Sequence, residues 1–326
     1  MREAVKTGAV MDEVSDSPKD KRRMKSENFK RKLKRNWPFL LMLAIPLTFL
    51  AIFSYGPMYG LLVAFKNYSP GLGIWGSPWN NFAHFERMFS DFTFTRALKN
   101  TIIISLLKLV FSFPASILLA LLLNEVKNMK FKKITQVISY LPYFMSWVIV
   151  ASMVIEVFSP QRGIVNAIIN MFGGEPIHFL SSRTWFVPIL IASDIWKEIG
   201  YGAIIYLAAM TGVNPSLYEA ADLDGATRIQ KMRNVTIPTI MPIILTMFLL
   251  RLGTILNAGF DQILNLYNPS VYGVADIIDT YVYRVGLIDF NFDYATAVGL
   301  FKNIIGLVLI VGSNWLVKKK TDMNVL

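Results

Sequence analysis

Asn214-Pro215-Ser216-Leu217-Tyr218-Glu219-Ala220-Ala221-Asp222-Leu223-Asp224-Gly225-Ala226 stands between two apolar runs, 186–210 and 240–260. Each run has about the 20 residues a helix needs to cross a hydrocarbon slab. The connection itself reads as a short helix. Asn214 before Pro215 suits an N-cap and first-turn position, and Ser216-x-x-Glu219 offers an alternative capping box. The helix would expose Leu217, Tyr218, Ala220 and Ala221, and the small alanines let another backbone approach closely. Gly225 then permits a sharp change of direction, and Pro238 marks the start of the next apolar run. A small helix held between two spans by a glycine bend is a lever, suited to passing force from a docked partner to the membrane helices.

Outward from this connection the chain holds four more apolar runs, 39–65, 101–123, 137–158 and 295–317, so six crossings are expected in all. Composition agrees. Of 326 residues 54% are hydrophobic and 17% charged, against about 25% charged in soluble domains, and mean hydropathy is +0.44. The first run is too long for a secretory signal, follows a charged tail and lacks a small-residue cleavage site, so it reads as a retained span. Pro46, Pro57, Pro114 and Pro188 fall within the runs and predict kinks.

The net charge of +11 comes from 33 Lys and Arg against 22 Asp and Glu. Twelve of the basic residues lie in the tail 1–36, and others flank the runs at 127–133, 228–233 and 318–320. In total 22 of the 33 fall on one side of the six runs, 7 on the other and 4 within them. The positive-inside rule therefore predicts both termini and the 212–238 loop to be cytoplasmic, and explains the charge without nucleic acid. With no cysteine, disulfides and thiolate metal sites are excluded, and His84 and His178 are too far apart in sequence to suggest a metal centre. No metal or cofactor is expected.

Three domains of sequence follow: a basic tail 1–36, poor in apolar residues and expected to be disordered; a membrane region 37–317 with its loop at 212–238; and a short C-terminal tail 318–326. On the external side 67–100 is rich in Gly, Pro and aromatics and is expected to pack at the interface, while 159–183 and 261–294 have room for short helices. No soluble domain fits into any of them.

Glu219-Ala220-Ala221, then three residues, Gly225, nine residues and Val235-Thr236-Ile237-Pro238 resembles the EAA loop of binding-protein-dependent ABC importer permeases. Val235 and Ile237 stand where that loop usually has Ile and Leu, and both remain aliphatic. Asp222-Leu223-Asp224-Gly225-Ala226 is similar to the sugar-importer branch. Asp194-Ile195-Trp196-Lys197-Glu198-Ile199-Gly200-Tyr201-Gly202 looks like the permeases of oligosaccharide and polysaccharide-fragment importers, including the alginate and aldouronate groups. The resemblance spans roughly 37–317. It implies an all-α integral membrane protein, six transmembrane helices with a cytoplasmic coupling helix, of the type I importer kind, in a bacterial cytoplasmic membrane. It further implies pairing with a second, similar permease, two ATPase subunits on the cytoplasmic loops, and an external sugar-binding protein. Glu219, Ala220, Ala221, Asp224, Gly225 and Pro238 would form the ATPase-coupling element. The chain holds no Gly-x-x-x-x-Gly-Lys-Ser/Thr, so it is not itself expected to be the enzyme that hydrolyses ATP.

Ionisable groups inside a hydrocarbon slab are costly and point to function or to specific pairing. The fourth run carries Asp194, Lys197 and Glu198, where Asp194 and Lys197 are placed to neutralise each other at the i, i+3 spacing. The fifth carries Arg251, Asn257 and Asp261. A sugar pathway needs flat apolar faces and hydroxyl partners. Tyr143, Trp147, Trp196, Tyr201, Asn257, Asp261 and Gln262 supply those types, and interhelical packing is the competing role for each. Two other function classes compete with this reading. A membrane hydrolase lacks Gly-x-Ser-x-Gly and His-Glu-x-x-His. An ion-coupled secondary transporter of a polar solute remains the transport alternative, but gives no reason for the lever at 219–225.

Overall fold

A computed structural model describes residues 18–321, with side chains described throughout 34–315. By its internal contacts the chain divides into Met1–Gly60 and Leu61–Leu326. The first unit is built on helix α1, Pro18–Leu50, followed by a π-helical turn at Ala51–Tyr55. The expectation of a disordered tail lies outside the described residues up to position 17. From Pro18 onward the chain is helical instead. Lys, Arg, Glu and Met are good helix formers, and extension of an existing apolar helix carries no new nucleation cost.

The second unit holds helices α2 (Phe92–Glu125), α3 (Met129–Tyr140), α4 (Trp147–Val157), α5 (Phe186–Thr211), α6 (Pro215–Leu223), α7 (Ile237–Gly253), α8 (Phe260–Leu266), α9 (Ile278–Tyr283) and α10 (Phe292–Thr321). The most extensive packing is between α2 and α5. Among the described residues, Lys34–Phe65, Phe92–Glu125, Arg228–Gly253 and Phe292–Trp315 are long and apolar enough to cross a membrane. Helix α5 has the length, at 26 residues, and carries Asp194, Lys197 and Glu198 midway.

Three expectations are corrected. The third apolar run is not one straight span: Met129–Phe144 and Trp147–Val157 meet at 105°. Pro142 lies in a 3-10 turn, and Ser146 caps α4 by accepting the Ile149 N–H at 3.4 Å, so the second half starts as a new helix. The fifth run's helix ends at Gly253 rather than 260, because residues 254–256 form a turn and Gly259 takes φ +101. A Cβ at Gly259 would lie 2.5 Å from the Lys108 ammonium, so glycine serves both the conformation and the approach. Pro188 does not break α5. It occupies the first turn, where backbone N–H groups have no intrahelical acceptor.

Buried ion and hydrogen-bond contacts shape the segments between the spans. The Lys66 ammonium, almost fully buried, donates to the carbonyls of Ile74 at 2.7 Å, Trp75 at 3.4 Å and Ser77 at 3.1 Å, closing the loop around one cation. Asp91 caps α2 through the N–H groups of Thr93 and Phe94, while the hydroxyls of Tyr281 and Tyr294 donate to its other oxygen at 2.7 and 3.2 Å. Burial pushes the Asp91 carboxyl up, but the Tyr281 hydroxyl and the two backbone donors outweigh it and hold it below the ordinary carboxylate value. Arg284 forks onto Asp276 at 3.2 and 2.5 Å, pinning the segment before α10.

Candidate functional site

The first candidate element is the connection from α5 to α7. Asn214 caps α6 by accepting the Ser216 N–H at 3.1 Å, so the Asn-Pro reading of the helix start holds and the Ser216–Glu219 capping box is not used. At the other end the Ala226 N–H bonds the Ala221 carbonyl at 2.9 Å and the Gly225 N–H bonds that of Asp222 at 3.1 Å. This is a Schellman closure, which needs a left-handed residue at its centre, and Gly225 has φ +72. Thr227 and Gln230 then form a capping box for one further helical turn, and Pro238 stands in the first turn of α7.

The lever is fixed at its base and free at its face. The Tyr218 hydroxyl bonds that of Thr236 at 2.9 Å, and Tyr218, Val235 and Ile237 pack on a cluster of Ala120, Leu121, Met210, Val213 and Ile240 from the ends of α2, α5 and α7. Lys231 reaches Asp222 at 2.6 Å across the bend. Leu223, at 91%, and Ile229, at 75%, are by contrast exposed apolar side chains. Glu219, Ala220 and Asp224 are exposed beside them and Ala221 half-buried, and the Glu219 carboxylate has no partner among the described residues.

The second element lies midway along α2 and α5. Lys108 pairs with Asp194 at 2.8 Å and donates to the Gln262 carbonyl oxygen at 2.6 Å; Ser112 donates to Asp194 at 2.7 Å. The Gln262 amide donates to the Leu190 carbonyl at 2.7 Å and to Ser193 at 2.9 Å. All these side chains are buried. Asp194 therefore does not pair with Lys197, as helical spacing suggested, because α2 presents a cation on the same side. Lys197 instead donates to the Tyr143 carbonyl at 2.7 Å and lies over the rings of Tyr143 and Trp147, with Glu198 at 3.9 Å.

Next to this network α2, α5 and α7 border an open cavity of about 360 Å³, whose lining includes the apolar Phe113, Ile205, Met247 and Leu250 beside Ser112, Ser116, Tyr143, Glu198, Tyr201, Tyr206, Arg251 and Thr254. Tyr143 and Tyr201 stack at its edge, 3.8 Å apart and 4° from parallel. A smaller space shares Arg251 and Thr254 with it and reaches Lys108 and Asn257.

The expected pathway residues thus separate. Tyr143 and Tyr201 line the cavity and Trp147 stands behind Lys197. Gln262 is fully buried with both ends of its amide engaged, an interhelical tie. Asn257 accepts from Lys302 at 2.8 Å and borders a different, larger cavity of about 780 Å³ with Asp279 and Tyr283. Trp196 and Asp261 are exposed and line none of these spaces. Lys108, Ser112 and Ser116 were not singled out from sequence. Their spacing of four places them on one face of α2, which was the available signal.

Residues 112–319 match the family described as binding-protein-dependent transport system inner membrane component. The chain is 45% identical over 287 residues, 88% of its length and 89% of the relative's, to a Bacillus subtilis protein named polygalacturonan/rhamnogalacturonan transport system permease protein YteP. It is similar, at 43% identity and TM-score 0.85 over 90% of this chain and 99% of the other, to a chain in the crystal structure of a bacterial ABC transporter involved in import of the acidic polysaccharide alginate. A second structure of an alginate transporter, in complex with a pentasaccharide-bound periplasmic protein, matches at TM-score 0.83 and 43% identity over 90% and 98% of the two chains.

Proposed function

We propose, for a chain that belongs to the binding-protein-dependent transport inner membrane component family, that it forms with a second permease the pathway for an oligosaccharide or polysaccharide fragment. It is a multi-pass membrane permease of an ABC importer, and ATP is hydrolysed by other subunits of the assembly. On this reading a binding protein delivers the sugar outside, six helices cross the bilayer, and the 214–237 connection faces the cytoplasm with two ATPases against it.

The observation that carries the reading is the continuity of the lever with the cavity wall. Helix α6 is joined directly to α5 and, through Tyr218–Thr236, to the start of α7. Those two helices supply Tyr201, Glu198 and Arg251 to the cavity, and the turn that closes α7 adds Thr254. A displacement of α6 by a docked ATPase therefore moves both walls, and the exposed Leu223, Ile229 and Glu219 give the ATPase something to grip. The names of the similar proteins support a carbohydrate fragment as the cargo.

The test is reconstitution. In proteoliposomes holding the chain, its partner permease and the ATPases, uptake of labelled oligogalacturonide should require both internal ATP and the loaded binding protein. Uptake driven by an ion gradient without ATP would overturn the assignment in favour of a secondary carrier.

A further inference from the structure

The charges in the interior of α2, α5 and α7 do not balance. Three cations, Lys108, Lys197 and Arg251, face two carboxylates, Asp194 and Glu198. Lys108 takes Asp194, and Lys197 takes Glu198 at 3.9 Å together with a carbonyl and two rings. Arg251 is left with no ion pair or side-chain hydrogen bond among the described residues, and its exposed side chain lines the cavity that Tyr143 and Tyr201 border. An unpaired arginine within a membrane-spanning region is expensive to maintain and marks a polar pathway. Its place in the last turn of α7 gives a favourable but small dipole interaction.

We propose that this cavity is a transit subsite for one carboxylated sugar ring, with Arg251 taking the carboxylate. The inference rests on the permease reading above and adds the chemistry of the cargo. A guanidinium presents a planar fork that matches a carboxylate in two parallel hydrogen bonds. A passing uronate would bring this cluster to neutrality, which a neutral sugar would not. Tyr201 shows 41% of its surface and offers a ring face to the apolar side of a pyranose. Tyr206, Ser116 and Thr254 offer hydroxyls. The volume of about 360 Å³ is near the lower end of ligand sites, which run from about 300 to 1,000 Å³, and suits a single ring with its substituents rather than a coiled chain. Glu198 lines the same cavity, and its like charge disfavours a carboxylate on its own side.

The test uses the assembled complex in nanodiscs without binding protein, titrated with labelled trigalacturonate and with its methyl ester, which keeps the rings and removes the charge. The free acid should bind at least tenfold more tightly than the ester. Arg251→Gln should abolish that preference, and Arg251→Lys should retain part of it, since the charge stays and the fork is lost. Equal affinity of the unmodified complex for acid and ester, no binding of the acid, or an intact preference in Arg251→Gln overturns the proposal. The acid-to-ester comparison needs no variant, so misassembly of Arg251→Gln does not blunt it. Failure of the permease reading is separate: it would appear as absence of ATP-driven uptake of any sugar in proteoliposomes.

Discussion

Replacing Asp194 by Leu strips the counter-charge from Lys108 while leaving the ammonium buried against α5. Lys108 and Asp194 side chains are 7% and 5% exposed and 2.8 Å apart, so the ammonium is almost wholly withdrawn from solvent. Breaking a buried pair from one side costs about 3–5 kcal/mol. Lys108→Met does the converse, stranding Asp194 with only the Ser112 hydroxyl. In the double variant both charges are gone. The Ser112 hydroxyl that donated to Asp194 can turn to the backbone carbonyl four residues back, so what remains is the Gln262 carbonyl oxygen that accepted from Lys108, at about 1–3 kcal/mol for one unpaired group. If the singles were independent they would sum to about 6–10 kcal/mol, so the pair is coupled by about 3 kcal/mol or more. The assay is heat-induced loss of the monodisperse complex by fluorescence-detected size exclusion. The expected order of midpoints is unmodified, then double, then either single. A double variant less stable than both singles would refute the assignment of Lys108–Asp194 as a coupled pair.

Gly225→Val should reduce uptake and binding-protein-stimulated ATP hydrolysis together. Nothing lies within 4 Å of a Cβ there, so the cost is the left-handed backbone alone, roughly 1–3 kcal/mol for a branched residue; Gly225→Asn should be milder, and normal transport by the Val variant would sink the lever. Glu219→Gln should weaken stimulated hydrolysis, because its carboxylate has no partner among the described residues, whereas Ser216→Ala should be nearly silent because Asn214 caps α6. Unimpaired hydrolysis in Glu219→Gln would remove the charge contact from the account. In intact cells Asn128→Cys should resist impermeant thiol reagent until the membrane is permeabilised, and labelling beforehand would reverse the orientation drawn from the basic residues.

Much of the scaffold was legible in the chain because its signals are local. Five of the six apolar runs form continuous helical segments over most of their length, Asn214-Pro215 starts α6, and Gly225 ends it. The failures share a cause: each depended on a neighbour distant in sequence or on a boundary shift of a few residues. Asp194 and Lys197 satisfy the helical spacing for a pair, yet Lys108 and the Tyr143 carbonyl outcompete it from α2 and from the turn before α4. The 105° break followed from Pro142 and Ser146, two residues inside a run that hydropathy alone reads as uniform. Gln262 has the right type for a sugar ligand, and only the positions of Lys108, Leu190 and Ser193 reveal it as a tie. Arg251 and Glu198 stood out as costly charges, but their shared cavity required the packing of α5 against α7.

The central claim, that α6 moves the walls of the α2–α5–α7 cavity, is tested most directly at Thr254. The chain has no cysteine, so Thr254→Cys places a single thiol on the cavity lining. In the complex assembled with cysteine-free partner subunits, its labelling by an impermeant reagent applied from outside should rise several-fold when a non-hydrolysable ATP analogue and the loaded binding protein are both present. The rise should disappear when Gly225→Val is added. Equal labelling with and without nucleotide, or a rise that survives Gly225→Val, would contradict the coupling of lever to cavity.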